Sequence, residues 1–175
     1  RDIAQKFNLD YACPDFFKIP EPLIQKNFAR IMSLKDGTKK MSKSDPSDQS
    51  RINMSDEKDQ IINKIKKAKT DSAELPESDE NLNKRPELIN LYGIFSSLQN
   101  QSLNSTINEF KGKNFSDFKN KLAEVLVEKI CPISNEINKL LKDKKYIDEV
   151  LASGSVLAEK IARKKVEDIK QKIGF

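Results

Sequence analysis

Lys40-Met41-Ser42-Lys43-Ser44 carries more information than any other stretch of this 175-residue chain. It lies in a run without regular hydrophobic period, residues 35–48, bounded by the turn-forming pairs Asp36-Gly37 and Asp45-Pro46. Such a run belongs on a mobile surface loop. Two ammonium groups three residues apart, with two hydroxyls beside them, can gather around a polyphosphate. They can then stabilise the charge that builds on it as a bond to phosphorus breaks. The plainer alternative is a solvated lysine–serine loop. Against it, this ordered pentamer arises by chance on the order of once in a thousand chains of such composition.

Composition narrows the chemistry further. The chain has no His, no Trp and two isolated cysteines, Cys13 and Cys131, so a zinc site lacks its ligands and no metal-binding residue is expected. Its five glycines form no phosphate-cradling GxGxxG or GxxxxGK pattern. Lone thiols in a lysine-rich chain read as reduced cysteines of a cytoplasmic protein. No apolar run reaches the roughly 20 residues that a membrane span needs. Net charge is +5, with Lys64, Lys66, Lys67 and Lys69 in one block, Lys142, Lys144 and Lys145 in a second, and Arg163, Lys164 and Lys165 in a third. Each block is either an RNA phosphate contact or a solvated helix face.

Outward from the loop the chain has two characters. Residues 1–8 have helical spacing, Phe16-Phe17-Lys18-Ile19 reads as a short strand before Pro20, and residues 29–34 form a second extended candidate. After residue 54 everything reads as helix. Ser55 caps a helix whose buried stripe is Ile61, Ile62, Ile65 and Ala68, with Lys64 facing elsewhere. Pro86 opens another, burying Leu88, Leu91, Tyr92, Phe95 and Leu98. A short helix over 102–110 ends at Gly112. Residues 116–141 make a long amphipathic helix that Pro132 should kink or break. A short helix over 146–152 closes at Gly154, and a last one over 155–173 turns Ala158, Ile161, Ala162, Val166, Ile169 and Ile173 inward.

The pentamer is identical to the KMSKS signature of class I aminoacyl-tRNA synthetases, and its surroundings resemble the bacterial tryptophanyl-tRNA synthetases. The resemblance rests on Arg1-Asp2-Ile3-Ala4-Gln5, Ala29-Arg30-Ile31-Met32-Ser33-Leu34, Thr38 to Asp45, Lys64-Ile65-Lys66-Lys67-Ala68 and Thr70-Asp71-Ser72. It continues through Phe110-Lys111-Gly112-Lys113 to Ile173-Gly174-Phe175. It departs at Lys84-Arg85-Pro86-Glu87-Leu88, where relatives have a Gly-containing turn. The family implies a mostly α chain: residues 1–54 as the end of a Rossmann-like parallel α/β catalytic domain, residues 55–175 as a helical domain for the tRNA anticodon arm. It implies an ATP-dependent ligase of protein biosynthesis that activates tryptophan and transfers it to tRNA. This chain would be the C-terminal half, inactive without the nucleotide-gripping half upstream.

The same resemblance implies catalytic roles for Lys43 and Lys40, and ATP binding by Ile31, Lys40, Met41, Ser42, Lys43 and Ser44. Ile31 lines the adenine site and Met41 caps the nucleotide. It also implies ATP with Mg²⁺ as substrate, tryptophan-specific tRNA as partner, a homodimer when full length, and no membrane association. Two rivals remain at this point: a stand-alone helical RNA- or protein-binding module, and the corresponding part of a tyrosyl-tRNA synthetase.

Overall fold

A computed structural model of the chain describes residues 1–24 and 28–175. Six helices follow in order among these residues: α1 (Asp2–Asp10), α2 (Lys58–Lys67), α3 (Pro86–Gln99), α4 (Leu103–Phe110), α5 (Phe115–Lys142) and α6 (Lys144–Ile173). The mostly helical class read from the sequence is what the structure has. Neither extended candidate becomes a strand. Their one trace among the described residues is an isolated antiparallel bridge between Met32 and Lys40.

The reason is visible at Phe17. Its N–H donates to Asn8 Oδ1 and its carbonyl accepts from Asn8 Nδ2, both at 2.9 Å. A side-chain amide thus satisfies the two backbone groups that a neighbouring strand would otherwise pair. Asn8, expected to end α1, lies inside the helix instead.

The chain packs as two compact units, Arg1–Ile24 with Leu140–Phe175, and Gln25–Lys139. In the first, Phe7 stacks on Phe16 with centroids 5.2 Å apart and meets Phe17 edge-on at 5.0 Å. Lys165 lies 3.6 Å over the Phe16 ring and donates to the Phe16 carbonyl at 2.6 Å. Helix α6 is continuous through Gly154 and buries no residue, so the inward face expected for 155–173 is not formed: Ile161 is 76% exposed. One glycine costs a helix only about 1 kcal/mol, too little to break a 30-residue run. Helix α5 likewise runs on through Pro132.

The second unit holds the core. Helix α3 starts at Pro86, as expected, but is buried on nearly every side, including Asn90, Gly93 and Ser96. Gly93 has no Cβ because the Phe28 ring occupies that space. Phe110 meets Phe95 at 5.1 Å and Phe118 at 4.9 Å, and Tyr92 meets Phe118 at 4.8 Å, all edge to face. Helix α2 begins at Lys58 rather than beside Ser55, with Gln60 Oε1 accepting the Glu57 N–H at 2.8 Å. Asp56, freed from helix duty, turns inward.

Tyr92 offers a test of this packing. It is fully buried, and its hydroxyl has no partner among the described residues. Burial pushes its pKa up to about 12. An unpartnered hydroxyl is a cost, so Tyr92→Phe is expected to leave stability unchanged or raise it by about 1 kcal/mol. A loss of roughly that size in urea unfolding would mean that the hydroxyl is bonded through water.

Candidate functional site: a pinned hairpin carrying the lysine–serine motif

The motif hangs from a short hairpin. Ser33 N–H donates to the Lys39 carbonyl at 2.8 Å, and Met41 N–H to the Ile31 carbonyl at 3.0 Å. Between the arms, Asp36 Oδ1 accepts the Thr38 N–H at 3.0 Å and the Thr38 hydroxyl at 2.6 Å. These bonds, the hydroxyl first, hold the Asp36 carboxyl below its usual range. Gly37 then sits directly on the Pro86–Glu87 backbone, where a Cβ would overlap it. The Leu34 N–H bonds the Ser50 carbonyl at 2.9 Å, and its carbonyl accepts Lys69 N–H at 2.7 Å. The stem of the expected mobile loop is therefore fastened to the core.

Four lysines lie in this segment, and their commitments differ. Lys35 reaches the Ser47 hydroxyl at 3.4 Å and Lys39 pairs with Asp36 at 3.5 Å. Lys40 and Lys43 are exposed, and their ammonium groups engage no described residue. The Ser42 and Ser44 hydroxyls lie 2.9 Å apart, and Ser44 N–H bonds Ser42 Oγ at 3.3 Å. The serines shape the turn that presents Lys43.

Behind the turn lies an ion network. Arg51 donates to the Asp45 carbonyl at 2.8 Å and pairs with Asp48 at 3.2 Å. Lys64 bridges Asp48 at 2.7 Å and Asp56 at 2.6 Å. Lys64 is 2% exposed. The sequence reading turns Lys64 away from the buried stripe, in a block open to RNA phosphates or to solvent, and the structure corrects this. Positions 61, 64, 65 and 68 share one helix face, so the spacing put Lys64 inside and only its charge argued otherwise.

Ile31 and Met41 come together. They line a cavity of about 210 Å³ with Ile52, Ile65, Ile94 and Leu98. The outlying blocks are less uniform. Lys69 is exposed but pairs with Glu87 at 2.8 Å, and Lys66 and Lys67 are the exposed cations of the first block with no ion pair among the described residues. Lys165 of the third is occupied by Phe16 and Arg163 by Glu159. Asp71, of the Thr70-Asp71-Ser72 block, holds Arg85 by two bonds at 2.9 and 2.7 Å. Arg85 also donates to the Glu74 carbonyl at 2.8 Å. The divergent Lys84-Arg85-Pro86 segment thus ties down the 71–74 turn.

This hairpin and its helical surroundings define a class. A family model described as tRNA synthetases class I (W and Y) matches residues 1–130, and the chain belongs to that family. Among its relatives, the tryptophan–tRNA ligase of Caulobacter vibrioides is 47% identical over 175 residues, covering 100% of this chain and 51% of the relative. That of Rickettsia felis is 43% identical over the same length, with 52% of it covered. Among solved structures, tryptophanyl-tRNA synthetase from Mycoplasma pneumoniae superposes with a TM-score of 0.76 at 26% identity, over 100% of this chain and 51% of that one. The Campylobacter jejuni enzyme complexed with ADP and tryptophan gives 0.66 at 26%, over 100% of this chain and 52% of that one. The chain spans about half the length of the curated relatives it matches.

Proposed function

We propose that the chain is the KMSKS-bearing C-terminal half of a tryptophan–tRNA ligase. One observation carries this reading: a hairpin whose first arm is bonded to the core at Met32 and Leu34 carries the exposed Lys40 and Lys43, whose ammonium groups engage no described residue, and its Ile31 and Met41 line an apolar cavity. In the first half-reaction the tryptophan carboxylate attacks the α-phosphorus of ATP, the bond to the bridging oxygen breaks, and pyrophosphate leaves. No side chain needs to bond covalently to substrate, so catalysis reduces to positioning and charge stabilisation. Lys40 binds the phosphates. Lys43, a flexible point charge, follows the leaving pyrophosphate. Ser42 and Ser44 set the turn and offer hydroxyl and N–H groups, while Ile31 and Met41 hold the adenine by apolar contact.

In this reading residues 1–54 complete a nucleotide-binding catalytic domain and residues 55–175 dock the tRNA anticodon arm. Tryptophan rather than tyrosine is supported by the names of the relatives. Their identity to this chain, and the family match over residues 1–130, also weigh against a stand-alone binding module. A homodimer and a cytoplasmic location belong to the same reading. No described helix is long and apolar enough to cross a membrane. A Mg²⁺ ion does not fit the carboxylates beside the motif. Asp48 is paired with Lys64 and Arg51, Asp45 accepts the Ser47 N–H at 2.7 Å, and no group of three or more metal-ligating side chains lies among the described residues.

Tryptophan-dependent exchange of pyrophosphate into ATP tests the proposal. The 175-residue chain by itself is expected to be inactive, and the longer protein that contains it active. Exchange by the short chain would overturn the assignment of the nucleotide grip to an upstream half. A longer protein that charges tyrosine would overturn the specificity.

A further inference from the structure

Asn90 is a costly residue where it stands. It lies on α3 between Ile89 and Leu91, 5% exposed, in a helix that packs Leu88, Leu91, Tyr92 and Phe95 into the core. A leucine there would bury more apolar surface, and a buried amide is tolerated only when its polar ends are paired. Both ends are paired, and to the same residue. Asn90 Oδ1 accepts the Met32 N–H and Asn90 Nδ2 donates to the Met32 carbonyl, each at 2.8 Å.

Met32 is the residue opposite Lys40 in the hairpin bridge. The two bonds flanking that pair run from Ser33 to Lys39 and from Met41 to Ile31. In this pattern the polar groups of Met32 itself point away from Lys40, toward the edge where a third strand would lie. No third strand is present among the described residues, and the asparagine amide does the work of one. It fixes the arm from which the motif is registered. Side chains alternate along such an arm, so a slip of one residue would exchange Lys40, now in solvent, with Met41, now at the cavity.

We propose that Asn90 is a positioning residue for the motif: by gripping both backbone groups of Met32 it sets which motif side chains face the nucleotide and which face the phosphates. This rests on the reading of the hairpin as the nucleotide-binding loop stem. Asn90 is not placed to touch the substrate itself.

The test has two readouts in the full-length protein. Hydrogen exchange followed residue by residue in Asn90→Ala and Asn90→Leu, which both lose the acceptor and the donor, should show amides Met32, Ser33 and Met41 exchanging at least tenfold faster. Amides of the Leu91–Phe95 and Leu122–Leu126 segments should keep their protection. Adenylation assayed on the same variants should show KM for ATP rising at least tenfold while KM for tryptophan moves less than threefold. Unchanged exchange at Met32 and Met41 overturns the proposal. So does uniform loss of protection across the core, which would make Asn90 a folding residue only, and so does an equal rise in both KM values. If the wild-type protein performs no adenylation, the functional reading fails on its own, and hydrogen exchange still decides whether Asn90 holds the hairpin.

Discussion

Replacing Lys64 with methionine is expected to destabilise the protein by about 3–5 kcal/mol, although the two side chains have similar length. The ammonium is buried between Asp56, itself buried, and Asp48, which is 55% exposed. Without it Asp56 keeps only its bonds from Asn53, at 2.9 Å from the backbone N–H and 3.1 Å from the side-chain amide. A carboxylate left in the core without a counter-charge costs far more than the pair contributes. Removing both charges should therefore be mild: Lys64→Met with Asp56→Leu is expected to recover most of the loss. Urea unfolding of the wild type and the two variants measures this. A single variant within 1 kcal/mol of wild type would contradict it. The same network sets an acid limit. Lys64 and then Asn53 hold the Asp48 carboxyl below its ordinary value. A lowered folded-state value stabilises above the unfolded value of about 3.9 and is lost as pH falls through the folded one. Without Lys64, the largest cause of that lowering, this acid-dependent contribution should shrink.

Lys43→Ala is expected to slow tryptophan adenylation in the full-length enzyme by about 2–4 kcal/mol of barrier, roughly 30- to 1000-fold. Tryptophan affinity should change far less, because the lysine is assigned to charge that grows on the leaving pyrophosphate. Among the described residues its ammonium has no ion pair to lose, and it is exposed, so folding should be unaffected. Single-turnover rates at saturating ATP separate the roles. A rate within threefold of wild type together with a collapse of ATP affinity would make Lys43 a ground-state binder.

Much of this was legible before any coordinates. Helical spacing located the buried faces of α2 and α3, and the motif with its flanks pointed to the family and to Ile31 and Met41 as neighbours. The failures share a cause. Phe16 to Ile19 and residues 29–34 look like strands because their apolar residues suit a pleated edge, but the partners of Phe17 and Met32 are asparagine amides from distant helical positions. No local pattern encodes such a pairing. Lys64 was misplaced because charge was weighed above position, and its partners lie 8 and 16 residues back, outside the helix. Gly37 lies in a turn, as its pairing with Asp36 suggested, but the space it leaves for the Pro86–Glu87 backbone had no local signal.

The order in which the two compact units become available differs during synthesis. Gln25–Lys139 is contiguous, so all its contacts can form before α6 has left the ribosome. The other unit joins Arg1–Ile24 to Leu140–Phe175, and Lys165 meets Phe16 across 149 positions. Closing so long a loop adds only about 0.6 kcal/mol for each doubling of its length, so the delay is set by translation more than by entropy. Until α6 emerges, Phe7, Phe16 and Phe17 stand without the lysine that later covers them, while the hairpin bearing Lys40 and Lys43 can already be in its final form.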